Sequence, residues 1–210
     1  MGREFVDLFD RWADNYDDTV SGVEEEYQAV FHKYDQILKE VADRATGHVL
    51  EFGVGTGNLS AQLLSKTDQY IGIEPSEKMR EVAEKKLGVP IYDGDFIAFP
   101  EPKTKVDSIV SSYAFHHLTY TEKNQAVEKY RQLLSKGGKV IFADTVFLNE
   151  TAKNDMINAA KGKQYYNLAE DLETEYYPTI AELTEIFENN NFRISFEKLN
   201  DFVWLFEAIK

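Results

Sequence analysis

Three glycines at every second position, Gly53, Gly55 and Gly57, follow the run Val49-Leu50-Glu51-Phe52 and precede Asn58-Leu59. A strand that turns into a helix through such a stretch exposes bare backbone, and the helix start offers unpaired N–H groups, so a ligand can lie directly against it. Two carboxylates narrow the ligand. Glu74 stands 21 residues after Gly53, the distance at which nucleotide-binding α/β sheets place an acid that accepts both ribose hydroxyls. Glu51, just ahead of the first glycine, would repel a pyrophosphate but welcome a cationic amine or sulfonium. Asn58 falls where a dinucleotide fingerprint needs its third glycine, and no Gly-x-x-x-x-Gly-Lys-Ser/Thr run exists, so neither a nicotinamide dinucleotide nor a nucleoside triphosphate is supported. Farther along, the adjacent His116 and His117 are candidate general bases.

These groups need elements to hold them. From residue 48 onward, short apolar runs alternate with segments of helical period, the pattern of a parallel sheet covered by helices. Runs at 48–52, 69–73, 89–92, 106–111 and 139–143 predict five strands. His116 and His117 then follow the carboxyl end of the fourth, where open α/β sheets bind ligands. Gly137-Gly138 is expected to end the helix before the fifth strand. Residues 149–177 are polar and acidic, with the pairs Tyr165-Tyr166 and Tyr176-Tyr177, and are expected to form a helical or loop insert. Thr179 and Glu182 make a capping box, so a helix should start at Ile180 and end at Asn189-Asn190-Asn191. Two last strands, 192–199 and 202–209, predict a hairpin turning on Asn200-Asp201. Ahead of the alternation lie two helical stripes, Phe5 to Tyr16 and Tyr27 to Val41.

Composition limits the partners. With 23 Lys plus Arg against 37 Asp plus Glu, the formal charge is −14, which disfavours nucleic acid and anionic membrane surfaces. The absence of cysteine removes disulfides, thiolate nucleophiles and common structural zinc sites. No apolar run has signal-peptide or membrane-spanning length, so the expectation is a cytoplasmic protein. At 210 residues one domain over 1–210 is expected, with a helical cap (1–45), a binding core (46–148), the insert (149–177) and a closing helix and hairpin (178–210).

The order of these motifs resembles that of class I S-adenosylmethionine-dependent methyltransferases, closest to the YrrT-type bacterial group. Glu51-x-Gly53-x-Gly55-x-Gly57 is similar to the family's first motif, Ile73-Glu74-Pro75-Ser76 with Met79 to the second, and Gly94-Asp95-Phe96 to the third. The run Val110 to Leu118 resembles the fourth-strand motif of the small-molecule branch, and Phe9 to Asp17 the helix that many members fold over the cofactor. The resemblance implies a Rossmann-like α/β fold: a seven-stranded, mostly parallel sheet with an antiparallel C-terminal edge hairpin and helices on both faces. It also implies S-adenosyl-L-methionine as cofactor and S-adenosyl-L-homocysteine as product. The implied cofactor site comprises Tyr16, Glu51, Gly53, Gly55, Thr56, Gly57, Glu74, Pro75, Ser76, Met79, Asp95, Phe96 and Ser112. In it the acid at 74 holds the ribose, Met79 packs on adenine, and Asp95 with the N–H of Phe96 reads the adenine edge. Two departures, Glu74 for the usual aspartate and Asn191 for glycine, leave the fold intact.

Methyl transfer from a sulfonium is an in-line displacement, so the nucleophile must sit aligned, dry and ~3 Å from the methyl carbon. Amino-methylating nucleic-acid enzymes carry Asn/Asp-Pro-Pro-aromatic after strand four, where this chain has Ser112-Tyr113-Ala114-Phe115. Cytosine-carbon methylation needs a cysteine. The acceptor is therefore read as a small molecule, with the 149–177 insert as the place of selection. Asp144 standing alone makes no metal site, so no metal is expected. A catalytically silent adenosylmethionine binder stays open as the alternative, as does the oligomeric state.

Overall fold

The structure, a computed structural model, describes residues 24–67 and 69–210. Its strands are β1 (Val49–Phe52), β2 (Tyr70–Ile73), β3 (Ile91–Tyr92), β4 (Val106–Ser112), β5 (Leu134–Thr145), β6 (Arg193–Lys198) and β7 (Val203–Ile209). They form one sheet in the order β3-β2-β1-β4-β5-β7-β6. β1 to β5 run parallel, and β7 pairs antiparallel with both β5 and β6. The order reverses between β1 and β4, and a crevice opens at such a switch point beyond the carboxyl ends of the strands.

The helices are α1 (Tyr34–Arg44), α2 (Asn58–Leu64), α3 (Glu77–Leu87), α4 (Tyr120–Leu133), α5 (Glu150–Gly162), α6 (Tyr166–Thr174) and α7 (Ile180–Asn189). Side chains alternate across a strand, so neighbours enter opposite cores. Leu50, Phe52, Val140 and Phe142 pack with α4 and α7 residues such as Val127 and Phe187. Val49, Ile141 and Ala143 pack on the other face with Ile37, Leu63, Ile157 and Leu172 of α1, α2, α5 and α6. The first core is aromatic at its centre. Phe52 lies 5.3 Å from Phe96 and 5.4 Å from Tyr130, ring to ring, and burying each such side chain contributes about 1.5–3 kcal/mol.

Three local expectations change. Gly137 and Gly138 lie inside β5 rather than at the end of α4. Leu134 already pairs with Val106, and the next paired residue after it is Lys139, opposite Ser108, so the glycines occupy a bulge. The stripe from Tyr27 to Val41 is not one helix: a 3-10 turn spans Glu25–Tyr27, and Lys33, at φ 65°, breaks the chain direction before α1. The hairpin turn is longer than two residues, because Asn200 Oδ1 accepts the N–H groups of Phe202 and Val203 and bends residues 199–202. The insert is helical, carrying α5 and α6. The helix at Ile180–Asn189 has its capping box at Thr179 and Glu182, and Asn191 follows at φ 60°. No helix among the described residues is long and apolar enough to cross a membrane.

Candidate active site

The glycine turn joins β1 to α2, and its three glycines do different things. A Cβ on Gly53 would come within 2.7 Å of Ala114, and one on Gly57 within 2.9 Å of Leu87. Those two let the turn pack against the end of β4 and against α3. A Cβ on Gly55 would meet nothing within 4 Å among the described residues, so this is the open backbone against which a ligand can lie.

Three carboxylates gather at the carboxyl ends of the strands. Glu51, 1% exposed, accepts from Ser60 Oγ and Tyr70 Oη with one oxygen, each at 2.7 Å. Its other oxygen has no partner among the described residues. Burial outweighs those hydrogen bonds and pushes the carboxyl up to about 8. Glu74 accepts the N–H of Gly55 and that of Ser76, both at 2.9 Å, which ties the glycine turn to the loop after β2. A carboxylate offers about four lone-pair sites, so it retains capacity for hydroxyl donors. Asp95 Oδ1 accepts from Ile97 and Ala98 N–H at 2.9 and 2.8 Å, folding its own loop.

A second cluster forms at the ends of β4 and β5. A 3-10 turn, Phe115–His117, follows β4. His116 Nδ1 lies 2.6 Å from Asp144 Oδ1, and the His116 N–H donates to Asp144 Oδ2 at 2.9 Å. Its Nε2 lies 3.1 Å from Glu175 Oε2, an oxygen also 3.9 Å from His117 Nδ1. Tyr177 stacks on His116 at 4.6 Å and hydrogen-bonds Glu175. Burial opposes charge on His116, but Asp144 and Glu175 prevail and hold it well above the ordinary imidazole range. Burial, reinforced by the His116 charge, drives His117 down to about 3. Lys123, 2% exposed, donates to the Tyr176 carbonyl at 2.7 Å and to that of Leu118, so it joins the end of the insert to the turn after β4. Burial lowers it to about 8.

Comparison with known proteins decides the family. An uncharacterized methyltransferase of Bacillus pumilus is 55% identical over 212 residues, covering 100% of this chain and 99% of that one. The chain belongs to the methyltransferase family. An uncharacterized methyltransferase of Oceanobacillus iheyensis is 53% identical, again over 100% of this chain and 99% of its own. Residues 49–138 match the family described as "Methyltransferase domain". Among solved structures, the magnesium protoporphyrin IX methyltransferase of Synechocystis with bound S-adenosylhomocysteine superposes with a TM-score of 0.71 at 16% identity, covering 98% of this chain and 97% of that one. A SAM-dependent methyltransferase of Thermotoga maritima gives 0.69 at 19%, over 98% and 99%.

The sheet is the Rossmann-like one expected of the family. The residues fit S-adenosylmethionine as a cofactor: an open backbone at Gly55 and a buried Glu51 oxygen without a partner among the described residues answer a ligand carrying a cationic amine. Not every anticipated site residue offers its side chain. Ser76 caps α3 through the Met79 N–H, and the Phe96 ring belongs to the core. Pro75 offers its carbonyl to Arg80 at 2.9 Å. Gly53, Gly55, Thr56 and Ser112 line one cleft with Tyr34. Met79 is buried in the first turn of α3. Tyr16 and the segment Phe9 to Asp17 lie outside the described residues.

Two expectations on the catalytic side need correction. Both ring nitrogens of His116 face carboxylates at hydrogen-bonding distance, so it is not poised to accept a proton. Asp144 does not stand alone, because the fold brings His116 against it and Glu175 against the same imidazole. Sequence reasoning also passed over Tyr113, Tyr34, Ser60, Tyr70 and Glu175. Tyr113 carries a left-handed φ of 52° at the end of β4, a backbone state that nothing in the residue type announces.

Proposed function

We propose that this methyltransferase moves a methyl group to a small-molecule acceptor by in-line displacement. The observation that carries the reading is a cavity of about 330 Å³ whose wall includes Glu175 and Tyr177, the residues that meet His116. A space of that size suits a metabolite rather than a folded macromolecule. Lys123, Lys153, Glu150 and Glu182 also line it, so an acceptor with polar or charged groups finds partners of both signs. The formal charge of −14 further disfavours a phosphate-backbone acceptor.

Bound adenosylmethionine supplies an electrophilic methyl group on a sulfonium centre. The chain's own residues bind, orient and dry the reactants. Glu74 and Asp95 hold the nucleoside end, and the free Glu51 oxygen meets the amine. His116, held on both sides by carboxylates, positions Glu175 and Tyr177 at the cavity wall. In this reading residues 1–210 act as one domain, and 149–177 forms the acceptor side.

The test is incubation of methyl-labelled adenosylmethionine with the protein and a cell extract, followed by separation by size and by chromatography that resolves products from unreacted adenosylmethionine. Label should appear in a small molecule other than adenosylmethionine and be lost with Glu74→Ala, which weakens cofactor binding by about 10- to 100-fold, the loss of hydrogen bonds to a charged group. Label confined to protein or nucleic acid would overturn the small acceptor. Tight cofactor binding with no labelled product of any size would instead favour a silent binder.

A further inference from the structure

We propose that His116, His117 and Glu175 bind a divalent cation of the zinc type, with Asp144 orienting His116. One donor atom from each of the three residues lies within 4.8 Å of the others, and Glu175 Oε2 lies 3.1 Å from His116 Nε2 and 3.9 Å from His117 Nδ1. Ligands at about 2.0–2.1 Å from a tetrahedral zinc stand about 3.3 Å apart, so an ion fits with small side-chain shifts. Two imidazoles and one carboxylate are the donor set of metal sites that keep a coordination position open for substrate.

The surroundings of the cluster match such a site. A metal-ligating histidine donates its other ring N–H to a carboxylate, which selects the tautomer and aims the remaining nitrogen. Asp144 takes that place at 2.6 Å from Nδ1, and is itself held by the N–H groups of His116 and Thr145. Tyr177 fixes the same imidazole by stacking on it. Asp144 and Glu175 together offset the double charge of the ion, so it would enter a buried place without net charge. A plain buried ion triad of Asp144, His116 and Glu175 accounts for those three residues. It gives no reason for a second imidazole 4.1 Å from the first and turned to the same carboxylate.

The cation deepens the small-acceptor reading and rests on it for its role. Glu175 belongs to the cavity wall, so the open position would face the acceptor. An acceptor hydroxyl or thiol reaching the ion gives up its proton to bulk water more readily. Its freed lone pair forms the bond to the methyl carbon while the carbon–sulfur pair returns to sulfur.

The full-length protein, dialysed against chelator, should be titrated with Zn²⁺ alone by calorimetry, and with Co²⁺ while visible absorption is followed. One equivalent should bind, with cobalt bands of nitrogen and oxygen coordination. Asp144→Asn should weaken binding by about 10- to 100-fold, and Glu175→Gln and His117→Gln by at least as much. His117→Gln leaves His116 between its carboxylates, so the metal-free variant should keep its fold, read by circular dichroism, and bind adenosylmethionine. Zinc bound equally by the wild type and by His117→Gln and Glu175→Gln, or not bound at all, overturns the site. A protein that binds no zinc yet labels a small molecule loses only this proposal. One that binds zinc here but labels macromolecules loses only the acceptor reading.

Discussion

Glu51 is a buried acid with one oxygen satisfied by Ser60 and Tyr70 and the other without a partner among the described residues. Burial lifts it from 4.5 to about 8. Between those values the folded chain holds a proton that the unfolded chain has released, so stability from this group falls as pH rises through the window. Glu51→Gln should flatten the fall of the thermal midpoint between pH 5 and pH 8, and an unchanged slope would remove the argument. A cationic amine placed on the free oxygen favours the ionised form. Cofactor binding at pH 7 should therefore release up to about one proton, seen by calorimetry in buffers of different ionisation enthalpy and absent in Glu51→Gln. Tyr113 makes a similar case through strain. Its left-handed φ of 52° costs about 1–2 kcal/mol, and its buried hydroxyl has no partner among the described residues. Such a hydroxyl costs about 1–3 kcal/mol, so Tyr113→Phe should keep or raise the thermal midpoint while slowing methyl transfer. A lower midpoint with unchanged transfer would make the hydroxyl structural.

The insert is clipped to the chain ahead of α1 by a few residues. Glu26 accepts the N–H groups of Asn167 and Leu168 at 3.0 and 3.1 Å, which caps α6, whose own N-cap Tyr165 makes no side-chain cap bond. Tyr27 hydrogen-bonds Asp171, and Tyr165 hydrogen-bonds Glu25 at 3.1 Å. Removing a cap costs about 1 kcal/mol. Because α6 leads directly into Glu175, Glu26→Ala should raise KM for the acceptor and leave adenosylmethionine affinity unchanged. Equal loss of both affinities would show that the clip serves the whole fold. Helix signals of this insert-and-clip kind are hard to read in a chain, because the cap of α6 comes from 141 residues away. The Thr179–Glu182 capping box was legible because both partners lie within one turn. The break at Lys33 was hidden, since Tyr27, Val30 and Tyr34 keep helical spacing although α1 starts only at Tyr34 and the 3-10 turn ends at Tyr27.

Charge acts on the whole molecule. An excess of 14 acids repels itself across the surface, and raising salt from about 10 to about 150 mM shortens the screening length from about 30 to about 8 Å. The thermal midpoint should rise over that range. A fall would mean that surface pairs such as Lys66–Asp43 and Arg44–Glu197 outweigh the net repulsion. The same excess supplies the carboxylates of the site. Glu51, Glu74 and Asp95 are buried at 5% exposure or less, so each must be met by hydrogen bonds or by a ligand.

The gathering of Glu51, Glu74 and Asp95 at one edge could be read from the chain because its instructions are local. A glycine turn, an acid at the next strand end and a third after β3 are repeated once per strand–helix unit, and the parallel sheet aligns them at one edge. The histidine cluster could not. His116 and His117, Asp144 and Glu175 come from three separate segments, and no spacing rule connects them. Their meeting depends on β4 lying beside β5 and on α6 ending over both. That arrangement is set by which apolar faces bury each other, and in the linear sequence Glu175 is one acid among many.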